Sequence, residues 1–415
     1  MKIIAKTINL KTMSSNVFSS FKQLKSYCEK EQFKGWDPYD GLNSKVFQTL
    51  PFFKKSSFIR MVVIQVFKKM PVNLRTVAMV PKKHNAKGIG LFLSGYCNLY
   101  NAVKNNPKLG KDFGSLKDIE KQINELAELL ISMQSKGYSG ACWGYTFDWQ
   151  SKAFFLPIHT PTVVATSFVV EALLSAYEIT RNKQYLDTAI SSAGFILNNL
   201  NRIDKPNGFM FSYSPLDNRA VYNATLLGTK TLALIYKYTG IEEYKNAARA
   251  SAQAVCDEQN ADGSFPHSDQ VRNKWRDSFH TGFKLESLAI YQQMCDDTAF
   301  AENIEKGYKY WIENYFIPET GLAKYYDNST ENDTVDLHCV AQAIPTIHKL
   351  KKYDEYTTAL MAKCLKWAID NMQDKKGYFY FQKTGRSVNK TCYMRWPNAW
   401  MFYGMSYYIN NTVEL

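Results

Sequence analysis

Hydrophobic and polar positions along the chain form a helical pattern. In residues 162–177 the apolar side chains of Val163, Val170 and Leu174 lie on one helical face, and other apolar residues surround them. A helix that is apolar nearly all round is buried on every side. The next segment, 185–197, alternates apolar and polar residues, which is typical of a helix with one face in solvent. The pattern therefore predicts a hairpin of one inner and one outer helix.

The same pairing recurs along most of the chain. The further predicted pairs are 88–103 with 116–133, 221–239 with 242–258, 280–295 with 298–316, and 335–350 with 355–373. Residues 396–409 have the apolar pattern of a sixth inner helix, and no outer helix follows it.

Two residue markers keep the period of this repeat. A glycine near aromatic residues recurs at spacings of 71, 55, 58 and 56 residues, at Gly137, Gly208, Gly263, Gly321 and Gly377. An aromatic residue recurs at spacings of 59, 56 and 56, at Tyr185, Tyr244, Phe300 and Tyr356. Two markers with one period indicate a repeated supersecondary unit, here a helical hairpin of about 56 residues.

The count of helices decides the architecture. Six inner helices precede only five outer ones, so a closed ring needs one more outer helix, which residues 14–30 or 55–70 could supply. We predict an all-α fold, a single-domain (α/α)6 toroid of helical hairpins over residues 85–415. Residues 1–84 are predicted to form an N-terminal helical segment that completes the outer layer. The alternative is an open superhelix, which would need polar caps at its ends.

Particular stretches resemble known toroid families. The turn Gln259-Asn-Ala-Asp-Gly-Ser-Phe265 is similar to the glutamine, aspartate-glycine-serine, aromatic turn of terpenoid cyclases. Over residues 85–415 the organisation resembles the α/α-toroid families, namely six-hairpin glycosidases, toroidal polysaccharide lyases and terpenoid cyclases. Residues 35–44 and 143–150 resemble uncharacterised toroids encoded in bacterial surface-polysaccharide gene clusters. The acidic motif of terpenoid cyclases is not visible, and the resemblance implies the fold rather than the reaction.

Charge and cysteine usage narrow the possible partners and compartment. A net charge of +13 favours an acidic partner, such as an anionic glycan, a nucleic acid or an anionic lipid surface. No nucleic-acid-binding motif concentrates the charge, so we expect no nucleic-acid partner. The alternative is a basic surface that is only solvated and has no acidic partner.

The eight cysteines lack paired spacing, and the N-terminal residues lack a secretory signal. No apolar run approaches the roughly 18 residues of a membrane span, and we expect a cytoplasmic protein.

Residues 53–75 form an unusual basic segment. Their apolar centre is flanked by lysines and arginines, a composition typical of helices in a membrane interface. One prediction is peripheral contact with an anionic membrane. The alternative is a helix that packs on the ring or supplies its missing outer helix.

Chemistry is expected where loops lead into the N-terminal ends of the inner helices. In a closed ring these loops gather at one mouth, and the free N–H groups and positive dipole of helix N-termini favour anionic ligands there. The candidate catalytic residues near these ends are His280, His338, Asp336, Asp148, Tyr222 and Asp277. The candidate substrate-binding residues are Arg395, Trp396, Trp149, Trp143, Asn223 and Arg276.

Each candidate also has a structural interpretation. Asp277 and Asp336 stand where carboxylates commonly cap helices. His280 and His338 occupy what look like corresponding places in successive units, which favours function, whereas the tryptophans fit either a core or a sugar-stacking surface. Arg395 suits a carboxylate ligand. No metal-ligand spacing, phosphate loop or nucleophile elbow is present, so we predict neither a metal nor a cofactor.

Two reaction types fit these groups. Hydrolysis needs two carboxyl groups, for which Asp148, Asp277 and Asp336 are candidates. Proton abstraction at C5 of a uronic acid, in a lyase or epimerase, needs a base and a group that neutralises the carboxylate, for which His280, His338, Tyr222 and Arg395 are candidates. We predict a carbohydrate-active enzyme that acts on acidic oligo- or polysaccharides in surface-polysaccharide metabolism. The alternatives are a non-catalytic glycan- or protein-binding toroid and an isoprenoid-handling toroid.

Overall fold

Helices dominate the described residues of the computed structural model, which are 10–70, 72–151, 154–269, 275–328, 333–352 and 354–412. The predicted N-terminal segment includes residues 1–9 and 71, which lie outside this description. The α-helices are α1 (Leu10–Lys30), α2 (Lys45–Gln48), α3 (Pro51–Lys55), α4 (Ser57–Lys69), α5 (Ala86–Asn105), α6 (Gly110–Phe113), α7 (Leu116–Ser132), α8 (Val163–Thr180), α9 (Lys183–Asn198), α10 (Tyr222–Thr239), α11 (Glu242–Cys256), α12 (Ser278–Cys295), α13 (Ala301–Tyr315), α14 (Leu337–Lys349), α15 (Glu355–Met372) and α16 (Ala399–Thr412).

Short strands and tight turns connect these helices. Antiparallel pairs form between β1 (Trp149–Gln150) and β2 (Phe155–Leu156), β3 (Arg202–Lys205) and β4 (Gly208–Phe211), and β5 (Phe316–Ile317) and β6 (Leu322–Ala323). A three-stranded sheet has the order β7 (Val335–Asp336), β8 (Gln382–Thr384), β9 (Ser387–Asn389). Residues 40–43 and 107–109 form 3-10 turns, and residues 394–398 form a turn of π-helix immediately before α16.

Six inner helices form a closed ring. Each packs on the next in the order α5, α8, α10, α12, α14 and α16, and α16 packs back on α5. The predicted all-α toroid is therefore confirmed, and an open superhelix is excluded because it would leave the first and last inner helices apart. The helix α8 is long and apolar enough to cross a membrane, contrary to our expectation for the sequence, but 67% of it is buried inside the ring.

The sixth outer position belongs to α1. This helix packs on α15 and α16, and residues 57–69 lie elsewhere. The helix α4 instead packs across the mouth of the ring, on β1 and on the 3-10 turn at 40–43. Its buried Ile64 joins Leu42 and Phe47 in a small separate core. Of the two segments predicted as candidates for the missing outer helix, residues 14–30 supply it, as part of α1.

The repeated glycines explain how the hairpins pack. Gly263, Gly321 and Gly377 have φ of +87°, +72° and +100°, a backbone region that favours glycine. A Cβ atom at these positions would approach the carbonyl oxygens of Lys306, Lys363 and Gln23 to 2.3, 2.6 and 2.4 Å. Each of these carbonyls lies on the outer helix of the following unit. Because Gln23 is in α1, the glycine contact places α1 at the same position in the repeat as α13 and α15.

Candidate active site

A cavity of about 660 Å³ opens at the mouth of the ring where the inner helices begin. Its floor is formed by the first turns of inner helices, and its walls come from the loops that lead into them. The residue two places after the N-cap lines the cavity in five of the inner helices, as Lys87, Val164, Asn223, Phe279 and His338. The common geometry of the N-terminal turns thus selects which side chains face the cavity.

This geometry corrects one sequence-based expectation. His338 is the second residue after its N-cap Asp336, whereas His280 is the third after its N-cap Asp277. The residue in register with His338 is therefore Phe279, and the two rings stack with centroids 4.2 Å apart. Both histidines nevertheless line the same cavity.

Asp277 holds His280 in a defined orientation. One carboxylate oxygen caps α12 by accepting the His280 backbone N–H at 2.8 Å, and the other lies 2.6 Å from Nδ1 of the same histidine. Because an ionised carboxylate only accepts hydrogen bonds, Nδ1 carries the hydrogen of this contact. His280 remains 20% exposed while Asp277 is fully buried. The Nε2 atom is left to exchange a proton with a ligand in the cavity.

Asp336 supports the site from behind without reaching the cavity. It is fully buried and accepts hydrogen bonds from the His338 backbone N–H at 2.9 Å, from Trp396 Nε1 at 2.9 Å and from Gln382 Nε2 at 2.6 Å. Burial raises the pKa of this carboxyl to about 6, although these donors oppose the shift. Asp336 therefore orients the side chain of Trp396 and the first turn of α14.

Two further histidines in the cavity are kept neutral. Burial, and then the charges of Lys87 and His280, holds the pKa of His338 well below its usual value. Burial, and then His280 and Lys284, does the same to His267, whose ring stacks on Trp275 at 4.2 Å and lies 5.0 Å from the ring of His280. A neutral imidazole can donate one hydrogen bond and accept another.

Aromatic rings form much of the cavity wall. Tyr39 lies between Trp149 and Trp396, with ring centroids 5.9 and 6.0 Å away. Tyr145 and Tyr213 face each other with hydroxyl oxygens 2.9 Å apart. Flat aromatic faces beside hydroxyl groups suit a ligand that has both apolar C–H faces and polar edges.

Basic side chains outnumber acidic ones along the described lining. The basic groups are Lys68, Lys87, Arg219 and Arg395, and the one carboxylate is Asp269. Lys68 is contributed by α4 and donates to the Tyr39 hydroxyl at 3.0 Å. The cavity is thus arranged for a ligand with negative charge.

The structure brings together half of the predicted site residues. His280, His338, Arg395, Trp396, Trp149 and Asn223 line the cavity. Asn223 is buried, and its Oδ1 atom has no hydrogen-bond partner among the described residues. Arg395 uses Nε and Nη2 to bind both oxygens of Asp37, with the Nη2 contact at 2.8 Å, so that edge of its guanidinium is not free for a ligand carboxylate.

The other candidates do not line the cavity. Asp277 and Asp336 act through their neighbours, and Asp148 accepts the backbone N–H of Ile158 at 2.7 Å. Trp143 is fully buried and donates to the Leu130 carbonyl at 2.7 Å, so it belongs to the core rather than to a sugar-stacking surface. Two further side chains point elsewhere because they bind carboxylates outside the cavity: Tyr222 binds Glu258, and Arg276 binds Asp327 at 2.7 Å.

Sequence reasoning missed several lining residues. Lys87 is not among the predicted site residues, although its place two residues after the N-cap Asn85 could have indicated it. His267 and Trp275 stand in the loop before α12, and Tyr325 and Tyr326 in the loop before α14, where a search of whole loops would have found them. Lys68 gave no such signal because α4 reaches the mouth only through tertiary packing.

Comparison with known proteins assigns the family. Residues 164–382, more than half of the 415-residue chain, match the family described as Glycosyl Hydrolase Family 88. The chain belongs to this family. This family 88 protein is accordingly a carbohydrate-active enzyme, as the sequence predicted. Its basic cavity differs from the aromatic cavity with few charges that an isoprenoid-handling toroid would have. No curated protein sequence matches the chain.

Solved structures show the same fold at low sequence identity. An unsaturated glucuronyl hydrolase specific for heparin is 14% identical, with a TM-score of 0.62 and 97% of each chain covered. An unsaturated glucuronyl hydrolase variant from Streptococcus agalactiae, complexed with dGlcA-GalNAc6S, is 11% identical, with a TM-score of 0.57 over 96% of this chain and 91% of that one. A cellobiose 2-epimerase from Bacillus thermoamylovorans is 13% identical, with a TM-score of 0.58 over 80% of this chain and 90% of that one.

Proposed function

We propose that this family 88 enzyme acts on a uronic-acid-containing oligo- or polysaccharide and that His280 transfers the proton in its reaction. The observation that carries the proposal is a cavity lined by four basic side chains and one carboxylate, with the Asp277–His280 pair at its edge. Two of the proteins with the same fold are named for a glucuronyl group, which agrees with an acidic substrate.

The roles of the residues follow from their contacts. Asp277 fixes the tautomer of His280, so Nε2 is the atom that accepts or returns a proton. Asn223 offers an unpaired Oδ1 to a sugar hydroxyl, and Trp149 and Trp396 offer flat faces to the ring. Asp336 keeps Trp396 in place.

Hydrolysis is the reaction class that the family favours. In the described lining, however, Asp269 has no second carboxylate beside it, and it lies 3.1 Å from Lys205. A mechanism based on two carboxyl groups does not match this arrangement. We therefore propose that the imidazole of His280 supplies the acid–base step of hydrolysis. The second candidate is transfer of the C5 proton, in epimerisation or elimination, which the three histidines of the cavity would suit.

One incubation separates these reactions. The enzyme would be given saturated and unsaturated uronic-acid oligosaccharides in D2O, and the products followed by mass spectrometry, NMR and ultraviolet absorbance. Hydrolysis adds the mass of water and releases a reducing end. Epimerisation introduces deuterium at C5 without cleavage, and elimination creates a new absorbing double bond. Turnover of neutral oligosaccharides but of no acidic one would overturn the proposed substrate class.

We also propose that the region around α3 and α4 contacts an anionic membrane surface. Phe52 and Phe58 are 87% and 67% exposed, and Val62 and Val66 are exposed beside them. Between Asp40 and Asp112 the sequence has thirteen lysines and arginines and no aspartate or glutamate. Exposed apolar side chains among basic ones bind the interface of anionic lipids. The same helix contributes Lys68 to the cavity, which would put the mouth close to a membrane-attached glycan.

Vesicle sedimentation tests this contact. The protein should sediment with vesicles that contain phosphatidylserine and not with phosphatidylcholine alone, and a Phe52→Gln, Phe58→Gln double variant should lose most of the binding. Leu216→Gln is a matched control, because Leu216 is 58% exposed outside this region. Equal binding of the double variant and the wild type would contradict the proposal.

The eight free cysteines support a cytoplasmic location, which we propose together with a role in surface-polysaccharide metabolism.

A further inference from the structure

A lysine in the floor of the cavity has no anionic partner. Lys87 is only 4% exposed, and its Nζ atom lies over the rings of Phe168, Phe283 and Trp400 at 4.3, 5.0 and 5.3 Å. Over the described residues, no carboxylate comes within 4.0 Å of this nitrogen, and no side-chain or backbone oxygen accepts a hydrogen bond from it. Aromatic faces compensate only part of the cost of burying an ammonium group.

The nearby carboxylates are already occupied. Below the floor, Lys230 lies 2.8 Å from Glu171 and 3.4 Å from Glu286, and Lys349 binds the same two glutamates. Two lysines and two glutamates balance one another in this network. Asp37 is likewise engaged by Arg395. Lys87 is left as the amine of the floor that has no anionic partner. Burial, and then the positive charges of Arg395 and Lys230, holds the pKa of Lys87 well below its usual value.

A second group in the floor also lacks a partner. His338 is fully buried, and neither ring nitrogen makes a hydrogen bond in the described structure. Its ring is held between Phe279 and Trp400, at centroid distances of 4.2 and 4.1 Å, so it cannot turn toward another protein group. Lys87 and His338 both stand two residues after an N-cap, and both line the cavity. Buried polar atoms that face a cavity without partners mark a place for a ligand.

We propose that Lys87 and His338 form the anion subsite of the cavity, where the carboxylate of a sugar acid binds. Lys87 would donate to the carboxylate, and the N–H of the neutral His338 would donate to the same group or to a neighbouring hydroxyl. The class of ligand, a sugar acid, is taken from the proposed function, so this inference rests on that function. It also assigns the ligand carboxylate to Lys87 rather than to Arg395, which the sequence had predicted. The Nε and Nη2 edge of Arg395 binds Asp37 instead.

Binding of D-glucuronate, with D-glucose as its neutral counterpart, tests the subsite without requiring turnover. Calorimetry should show that the wild type binds glucuronate more tightly than glucose. Lys87→Met should weaken glucuronate binding about 10- to 100-fold, the loss expected for one charge-assisted hydrogen bond, and should leave glucose binding unchanged. His338→Phe keeps the ring stacking and should weaken glucuronate binding by a smaller factor.

The stability of the unliganded variant distinguishes a ligand site from a structural lysine. Removal of a buried amine that has no anionic partner should leave the Tm of Lys87→Met equal to or above that of the wild type. A lower Tm with unchanged glucuronate affinity would overturn the proposal. If Lys87→Met does not fold, Lys87→Gln and His338→Phe supply the same comparison of affinities.

The subsite and the proposed reaction can fail separately. If glucuronate binds through Lys87 but no acidic oligosaccharide is turned over, the subsite stands and the proposed function fails. If acidic oligosaccharides are turned over but Lys87→Met binds glucuronate as the wild type does, the subsite is wrong. A wild type that binds glucuronate no better than glucose also overturns the subsite.

Discussion

At the scale of single residues, two aspartates with the same local role have different effects on the site. Asp277 and Asp336 each cap an inner helix by accepting a backbone N–H from its first turn. The second oxygen of Asp277 binds the ring of His280, whereas Asp336 binds the indole of Trp396 and the amide of Gln382. Capping and support of the site are therefore not alternatives here, because one carboxylate does both.

Replacing Asp277 by asparagine separates these two tasks. The asparagine Oδ1 can still cap α12, but its NH2 group would donate to Nδ1 of His280 and place the ring hydrogen on Nε2. We expect turnover of an acidic oligosaccharide to fall by about 10²–10⁴, with a change of less than about 1 kcal/mol in the free energy of unfolding. Steady-state kinetics and urea unfolding measure the two quantities. Asp354→Asn, at the N-cap of the outer helix α15, is the control and should leave turnover unchanged.

At the scale of elements, the turn that joins consecutive hairpins also joins the last hairpin to the N-terminal helix α1. In both places a glutamine side chain makes the connecting hydrogen bonds. Gln259 Nε2 donates to the Gly263 carbonyl at 2.9 Å and to Asn303 of α13 at 3.0 Å. Gln373 Nε2 makes the same pair of bonds, to Gly377 at 3.0 Å and to the Ser20 carbonyl of α1 at 3.1 Å. The N-terminal helix is thus held by the same contacts that join consecutive units elsewhere.

A pair of glycine variants measures the strength of this closure. Gly377 and Gly385 both have positive φ, but only at Gly377 would a Cβ atom meet backbone, the Gln23 carbonyl at 2.4 Å. Gly385→Ala should reduce the free energy of unfolding by about 1 kcal/mol because of the backbone conformation alone. Gly377→Ala should reduce it by about 3 kcal/mol or more, since α1 must also move. Equal losses in chemical denaturation would show that the contact with α1 does not matter.

At the scale of the whole molecule, fully and partly buried histidines couple stability to pH. Burial lowers the pKa of His348 to about 4, and His267 and His338 are shifted in the same direction. In the unfolded chain these groups take up protons as the pH falls through about 6.5, whereas in the folded protein His348 does so only near pH 4. The unfolded state therefore binds more protons in this window, and the contribution of these histidines to stability decreases as the pH falls.

Urea unfolding at about pH 7 and about pH 5 tests this coupling. Between the two conditions His348→Gln should lose less stability than the wild type, because one of the groups that favour the unfolded state in acid is gone. His348 lies outside the lining of the cavity, so turnover should be little affected. If both proteins lose the same free energy, His348 does not contribute to the pH dependence.

The sequence by itself determined the repeat, the inner and outer character of the helices and the end of the ring at which polar residues collect. These properties follow from local periodicity, from N-cap residues and from turn glycines such as Gly263 and Gly377, and each can be read over a few turns of helix. Half of the predicted site residues lie in the cavity for this reason. The helical pattern also allowed two choices for the closing helix, between which only packing could decide.

Tertiary structure decided which of those polar residues face the cavity. A shift of one position turns a helical side chain by about 100°, so Phe279 rather than His280 is in register with His338. The ion-pair partners that neutralise charged side chains are distant in sequence. Asp37 and Arg395 are 358 residues apart, and Lys349 and Glu171 are 178 residues apart. Whether a basic group is neutralised or left for a ligand depends on such long-range pairs. Local sequence patterns therefore located the site, while the closed ring determined its chemistry.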